Sequence, residues 1–420
     1  MVRVEWVAKS RARQETFANS LATLRRGGQD MQRIPLEANP ALAASAWIDV
    51  DLDAIAHNVR VCRRLLPPAC VLIAVVKSNA YGHGMLRVAR TALQHGATEL
   101  AVASVHEGAL LRDAGIQAPI LVAGPVAPTE AAAVVQHALV PSLAGAELAR
   151  ALAAASRRFL PVHIEVDTGM SRHGVAGDEL GDLVQRLHDR GRLTVAGVFT
   201  HFAPAAVGAQ TLAGLRGQLQ RFQAAVDGVR ALRGVRRHAC NSLAALALPA
   251  AHLDAVRLGG ALYGFDPFHG AGEPGPVALR PALAWKARLL GIREVPPGTP
   301  VGYGGTFVTT RRSRLGLVPV GYADGLAREL WHGAEVLVRG VRVPIVGQIS
   351  MNQTILDLTV LPEVLHGDEV VLLGAQGSDR VLAEARVPPG GSVYEVTSLL
   401  RPGLLRRYLG GGSAGAERHG

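Results

Sequence analysis

The sequence is poor in cysteine, in aromatic residues and in long apolar runs. Its three cysteines, Cys62, Cys70 and Cys240, are odd in number and lack metal-ligand or redox spacing. That sets aside a disulfide framework and reads as reduced core thiols in a cytoplasmic protein. Aromatics make up only 4% and the arginines are scattered, so the net charge of +10 does not form the basic, aromatic-laced face of a nucleic-acid binder. No apolar stretch approaches the roughly 20 residues that cross a bilayer, because Asp, Arg or Gly interrupts each candidate, and no membrane partner is expected. The first ten residues, MVRVEWVAKS, carry charges where a secretory signal needs an unbroken apolar segment. Export is therefore not expected.

What the chain does have is length and apolar content: 420 residues, 49% hydrophobic, enough for a large core and two domains. Short apolar runs recur at 71–77 (VLIAVVK), 99–105, 118–124, 138–143, 162–169 (VHIEVDTG), 194–202 (TVAGVFTHF), 235–242 (VRRHACNS) and 255–264 (AVRLGGALYG). Most are separated by segments of helical period such as MLRVARTALQHG, EGALLRDAG and ELGDLVQRLHDRG, each ending in a glycine placed as a helix C-cap. Eight strand-then-helix repeats predict an α/β fold, a TIM-like (β/α)8 barrel over residues 41–280. From 281 to 409 the pattern changes to Val/Gly/Pro-rich runs with turn signals, which predicts a mostly β second domain. The segment WIDVDLDAIAHNV (47–59) alternates like a strand before a helix, and its strand partner stays open. Residues 1–40, Arg-rich and containing Met31, read as a flexible extension or a misplaced start, and the Gly-rich 410–420 as a flexible tail.

Ligand chemistry in such barrels collects at the C-terminal ends of the strands. Lys77 ends the first run, Arg172 follows the fifth, His201 ends the sixth, and Asn241 with Ser242 closes the seventh. Arg257, Gly259 and Gly260 fall in the eighth, so the last two strands offer an anion cradle of the sort that holds phosphate. A lysine at the end of an apolar strand is costly to bury unless it snorkels, is paired or is used covalently. Position alone leaves a structural lysine, an anion ligand and a Schiff-base lysine all open. The loop Ser78-Asn79-Ala80-Tyr81-Gly82-His83-Gly84, small and polar around one tyrosine, suits a bound phosphate.

The string AVVKSNAYGHG (74–84) resembles the attachment signature for pyridoxal 5′-phosphate (PLP) in alanine racemases. Further similar motifs follow in the family's order: DTGMSRHG (167–174), THFA (200–203), HACNS (238–242), VRLGGALYG (256–264), VGYGGTF (301–307), VPVGYADG (318–325), GQISMNQ (347–353) and YEV (394–396). The resemblance spans about residues 45–409. It implies a PLP-dependent isomerase that interconverts L- and D-alanine, with Lys77 as attachment residue and base on one face of the α-carbon. Tyr303 is implied as the second base on the other face. Two opposed proton-transfer groups are a physical requirement, since a single group returning its own proton mostly regenerates the starting hand. In the family these two residues meet across two subunits docked head to tail, so a homodimer with composite sites is implied.

The same resemblance places Arg257 opposite the cofactor's pyridine nitrogen, with His238 supporting it and His201 against the ring. Tyr81, Ser242, Tyr394, Gly259 and Gly260 would hold the phosphate, with Asn241 organising that loop. Arg172 and the backbone of Met351 would bind the substrate carboxylate. Tyr322, in VPVGYADG, is a supporting residue, and no metal is implied. The sequence departs from the family at Glu165, where many relatives have a lysine that becomes carbamylated; the carboxylate is expected either to orient Arg172 directly or to be an inward barrel polar residue paired with another cation. Gln348, Ser350 and Asn352 stand where relatives carry Arg, Cys and Asp, which leaves serine or a broader range of small amino acids as alternative substrates. A non-catalytic PLP-carrying barrel is disfavoured by VGYGGTF and SMNQ. A decarboxylase is disfavoured by Arg257, because those enzymes pair the pyridine nitrogen with an acid. D-alanine for peptidoglycan is the family's usual product.

Overall fold

The eight apolar runs become eight parallel strands. The computed structural model describes residues 44–190, 192–203, 209–269, 275–331 and 333–411. The expectations for residues 1–40 and for most of the 410–420 tail lie outside them. After β1 (Ala46–Asp51), strands β2 (Val71–Val75), β3 (Glu99–Val102), β4 (Ile120–Val122), β5 (Val140–Leu143), β6 (Leu160–Glu165), β7 (Leu193–Phe199), β8 (Arg236–His238) and β9 (Ala255–Leu258) close a barrel, β9 pairing back to β2. The helices between them include α1 (Leu52–Leu65), α2 (Met85–Gln94), α3 (Val105–Asp113), α4 (Ala131–Gln136), α5 (Ala146–Ala155), α6 (Leu180–Arg190), α7 (Ala209–Asp227) and α8 (Ser242–Ala247). Side chains of a strand alternate between two faces. Leu72, Ala74, Leu100, Val102, Ile120 and Val122 face the helices and join the main core, whereas Ile73, Ala101, Leu121 and Ala255 form a separate cluster inside the barrel.

The β6–β9 side of the interior is polar instead. His163, Glu165, His238 and Arg257 are all buried there. Gly197 makes the room, since a Cβ at that position would lie 2.7 Å from the His163 ring. Among the described residues no helix is long and apolar enough to cross a membrane, and the three cysteines are free and buried.

The second domain is mostly β. Strands β10 (Leu283–Arg288), β11 (Gly291–Val295), β12 (Pro300–Val301), β13 (Phe307–Val308), β14 (Ser313–Val318), β15 (Glu335–Val338), β16 (Val341–Pro344), β17 (Thr354–Asp357), β18 (Glu369–Gln376), β19 (Asp379–Val381) and β20 (Leu405–Leu409) surround one short helix, α9 (Val393–Ser398). The large sheet runs β16-β15-β18-β10-β1-β20. The open question about residues 47–59 is thereby answered: β1 lies between β10, antiparallel with Ile48 opposite Trp285, and β20, parallel with Trp47 opposite Leu405. Asp51 caps α1 by accepting the Ala54 amide, so the chain turns straight from this sheet onto the barrel. Asp49, inside the sheet, holds β20 through the Arg407 guanidinium at 2.7 and 3.0 Å.

Candidate active site

Lys77 opens a turn of unusual hand. Ser78, Asn79, Ala80 and Tyr81 have φ of 53°, 52°, 54° and 51°, four consecutive residues in the left-handed region without a glycine among them. Such a conformation costs about 1–2 kcal/mol per residue, so surrounding contacts must over-determine it. They do. The Ala80 amide donates to Val76 O and the Gly82 amide to Ser78 O, while His83 Nδ1 donates to the carbonyls of Ala80 and Tyr81. The Asn79 side chain accepts the Met85 amide. Glu107, on α3, accepts the Ser78 amide at 2.6 Å through Oε1 and the Ala103 amide at 2.8 Å through Oε2. From the second domain, Arg406 Nε donates to Gly82 O at 2.7 Å. Burial, then the positive charge of Arg172, hold the Lys77 amine below the ordinary lysine range, with Glu107 opposing. A larger share of neutral amine at neutral pH follows.

On β9, the strand paired with β2, Arg257 is fully enclosed. Its Nη1 donates to His238 Nδ1 at 2.7 Å and to His238 O at 3.3 Å, and its Nη2 to Thr200 O at 2.8 Å and Ala239 O at 3.1 Å. Four of the five guanidinium hydrogens are thereby engaged, and Nε–H has no protein partner among the described residues. Phe199 lies beneath the guanidinium at 4.9 Å and stacks on His238. Because Arg257 can only donate, His238 accepts on Nδ1 and carries its proton on Nε2, which reaches His163 Nδ1 at 2.9 Å. Burial, then Arg257, press His238 far below the ordinary histidine range; burial lowers Arg257 to about 10, which still leaves it charged. His201, half-buried at the end of β7, is held at about 3 by burial and by the charges of Arg257, Arg172 and Lys77.

Just past the end of β9 lies a cradle. A Cβ on Gly259 would sit 2.5 Å from the Tyr81 hydroxyl, and one on Gly260 would sit 2.7 Å from the Tyr394 ring. Both glycines are needed for two tyrosines to approach the backbone. Tyr81 packs edge-on to Tyr394 at 5.6 Å and against Tyr263 at 4.7 Å, so the barrel and the second domain each supply a phenol. Burial pushes both hydroxyls above the ordinary tyrosine range, which keeps them protonated donors. Ser242 Oγ accepts the amides of Gly259 (3.0 Å) and Ala261 (3.2 Å), so the Gly259 N–H is directed to Ser242 and the Gly260 N–H is the one left open. Asn241 caps α8 by accepting the Ala244 amide. Neutral hydroxyls, an open amide and a donor-only arginine fit a phosphorylated heteroaromatic aldehyde of the PLP type, with Lys77 as its anchor.

Of the two expectations for Glu165, direct contact with Arg172 needs correcting. Its Oε2 meets His173 Nδ1 at 2.8 Å, and Arg172 forms no hydrogen bond or ion pair among the described residues. The cause is the loop itself. Asp167 Oδ1 accepts the amides of Gly169, Met170 and Ser171, and Ser171 adopts a φ of 54°, which leaves Arg172 exposed and brings His173 to the buried carboxylate. Thr168 is gripped by Arg221, whose Nε and Nη2 donate to its carbonyl.

The second domain gathers the remaining residues apart from the barrel cluster. Tyr303 lies in the loop between β12 and β13, beside Gly302 and Gly304 at φ of 72° and 69°, and is 69% exposed; Met351 is 56% exposed. Tyr322 is exposed as well, its amide donating to Ser350 O, while Gln348 accepts from Arg328 at 2.8 Å and Asn352 donates to Asp324 at 3.4 Å. Among the described residues none of the Tyr303, Tyr322 and Met351 side chains bonds to the barrel cluster. Sequence reasoning missed Glu107 and Arg406. A signal for the first existed, because Ser104 and Glu107 stand at capping-box spacing at the start of α3.

Residues 50–267 match the family model described as alanine racemase, N-terminal domain, and residues 282–408 its C-terminal domain. The alanine racemase of Symbiobacterium thermophilum is 43% identical over 371 residues, covering 87% of this chain and 97% of that protein; that of Desulfovibrio desulfuricans is 39% identical over 369 residues, covering 86% and 98%. Among solved structures, alanine racemase from Bacillus anthracis with bound L-Ala-P superposes with a TM-score of 0.81 at 34% identity, covering 89% of this chain and 97% of that one. The enzyme from E. faecalis gives 0.79 at 33%, covering 87% and 98%. With both domains matched in order along its length, the chain belongs to the alanine racemase family.

Proposed function

We propose that this chain interconverts L- and D-alanine with PLP anchored on Lys77, as a cytoplasmic homodimer whose product serves cell-wall precursor synthesis. One observation carries the reading: the half-buried Lys77 immediately precedes the turn that presents Tyr81 to the Gly259–Gly260 cradle, beside the strand that holds a fully enclosed Arg257. When bound, PLP supplies the electron sink that makes the α-hydrogen of an amino acid acidic. Lys77 Nζ then takes or returns a proton on one face of the α-carbon, helped by the burial and the Arg172 charge that favour its neutral form. Tyr303 Oη of the partner subunit does the same on the other face. Arg257, charged and unable to give up a proton readily, would act on the pyridine nitrogen of PLP only as a donor and would leave that nitrogen unprotonated, which would restrain transamination. Tyr81, Tyr394, Ser242 and the Gly260 amide hold the phosphate. Asn241 holds that loop through its cap on α8, and His201 flanks the ring. Arg172 and the Met351 amide of the partner subunit bind the substrate carboxylate. Tyr322 shapes the mouth of the site, and Glu165 with His173 fixes the loop that carries Arg172.

Incubation with L-alanine in deuterated water tests the reading. D-alanine carrying α-deuterium is expected, without carbon dioxide. Release of carbon dioxide, or no exchange at all, would overturn it, and parallel incubations with serine and other small amino acids set the substrate range.

A further inference from the structure

Glu107 takes no part in any of these roles, yet its carboxylate is the one acid bound directly to the turn that carries Lys77. It joins two βα loops: Oε1 receives the Ser78 amide, the first of the left-handed turn, and Oε2 receives the Ala103 amide at the end of β3. The Glu107 amide in turn donates to Ser104 Oγ, which fixes its own backbone at the start of α3. At the far end of the same turn the Gly82 carbonyl is taken by a cation, Arg406. The turn is thus held by an anion at its leading amide and a cation at its trailing carbonyl, the polarity that a string of aligned peptide dipoles favours. We propose that Glu107 is a positioning residue for racemisation: it locks the left-handed turn in the one geometry that aims Lys77 into the site, and it supplies the counter-charge that balances Arg172 at that amine. The inference rests on the reading above only in taking Lys77 as the reacting amine.

The charged and titratable groups around Lys77 are few. Arg172 comes from the loop after β6, His201 from the end of β7 and Glu107 from α3; His201 is neutral, so among the described residues Glu107 is the acid that acts on the amine. Its removal must favour the neutral amine. In a Glu107→Gln variant the side-chain carbonyl could accept one backbone amide, but the NH2 would face the other N–H, so the turn would loosen as well. A Glu107→Asp variant keeps the charge but is one methylene too short to span both amides.

The chain has only three lysines, Lys9, Lys77 and Lys286, which makes the test direct. The full-length protein, freed of cofactor, is treated with trinitrobenzenesulfonate across pH, and modification of the Lys77 peptide is followed by mass. Glu107→Gln is expected to react at least about threefold faster than the unaltered protein below the latter's midpoint, and Glu107→Asp to keep that midpoint. In the PLP-loaded enzyme both variants should lose about tenfold or more in kcat with KM for alanine moved less than about twofold. An unchanged Lys77 titration in Glu107→Gln, or full turnover in Glu107→Asp, would overturn the proposal. If Glu107→Gln does not fold, the Glu107→Asp turnover decides alone. Failure of the loaded enzyme to racemise alanine would defeat the functional reading, yet the amine titration would still report on Glu107.

Discussion

A buried histidine that accepts from an arginine has its proton placed for it. Arg257 fixes the tautomer of His238, and His238 that of His163, so a cation at the barrel mouth orders two neutral rings inside the barrel. The same burial has a consequence for stability. His83 is held at about 4 and His163 and His201 at about 3, mainly by burial, against an ordinary value of 6.5. Between those values the unfolded chain binds protons that the folded chain refuses, so stability is complete above pH 6.5 and falls as pH drops toward 3–4. Each unit of such a shift is worth about 1.4 kcal/mol, and the loss by pH 4.5 is expected to reach several kcal/mol. Urea unfolding at pH 7.5, 6 and 4.5 measures it. A flat profile over that range would mean that these rings are charged in the fold, and the Arg257–His238–His163 order would then be wrong.

Elements were legible in the sequence where burial writes a simple pattern. Parallel strands covered on both faces read as unbroken apolar runs, which is why most of the barrel strands stood out and why their end residues could be named as site candidates; β8, Arg236-Arg237-His238, is the polar exception. Pattern could not say which strands flank β1, because pairing partners far apart in sequence leave no local mark. Nor could it show the left-handed turn: Ser, Asn, Ala and Tyr give no sign of positive φ, which here is imposed by Glu107, His83 and Arg406 from outside the segment. Glu165 was placed correctly in the barrel, but its partner was misread, since the direction of a side chain in a loop depends on the Asp167 turn and not on spacing. The cradle offers a test at this scale. α9 brings Tyr394 against Gly260, where a Cβ would sit 2.7 Å from the ring. Gly260→Ala should displace Tyr394 and weaken PLP binding by about tenfold, with little effect on unfolding because the tyrosine is partly exposed and free to swing aside. Cofactor titration by absorbance reads the change, and unaltered affinity would remove Tyr394 from the phosphate site.

Over the whole molecule, the division of chemistry between domains decides how the site is completed. The barrel supplies the amine, the arginine and most of the cradle, to which the second domain adds Tyr394, whereas that domain holds Tyr303 and Met351 on its surface, both exposed in the single chain and unbonded to the barrel cluster among the described residues. In the proposed reaction a phenol that exchanges protons at the α-carbon must be shielded from open water, and a second copy of the chain, paired head to tail, would supply two equivalent lids at once. If each site takes Lys77 from one subunit and Tyr303 from the other, defects in the two residues should complement. Lys77→Ala and Tyr303→Phe proteins, each nearly inactive alone, would form mixed dimers in which one site holds both substitutions and the other holds neither. Random assembly after co-expression should then restore about a quarter of the unaltered activity. Were both residues to act within one chain, mixing would restore nothing, because every site would carry one defect. Activity of the co-expressed mixture, measured against each variant alone, separates the two arrangements.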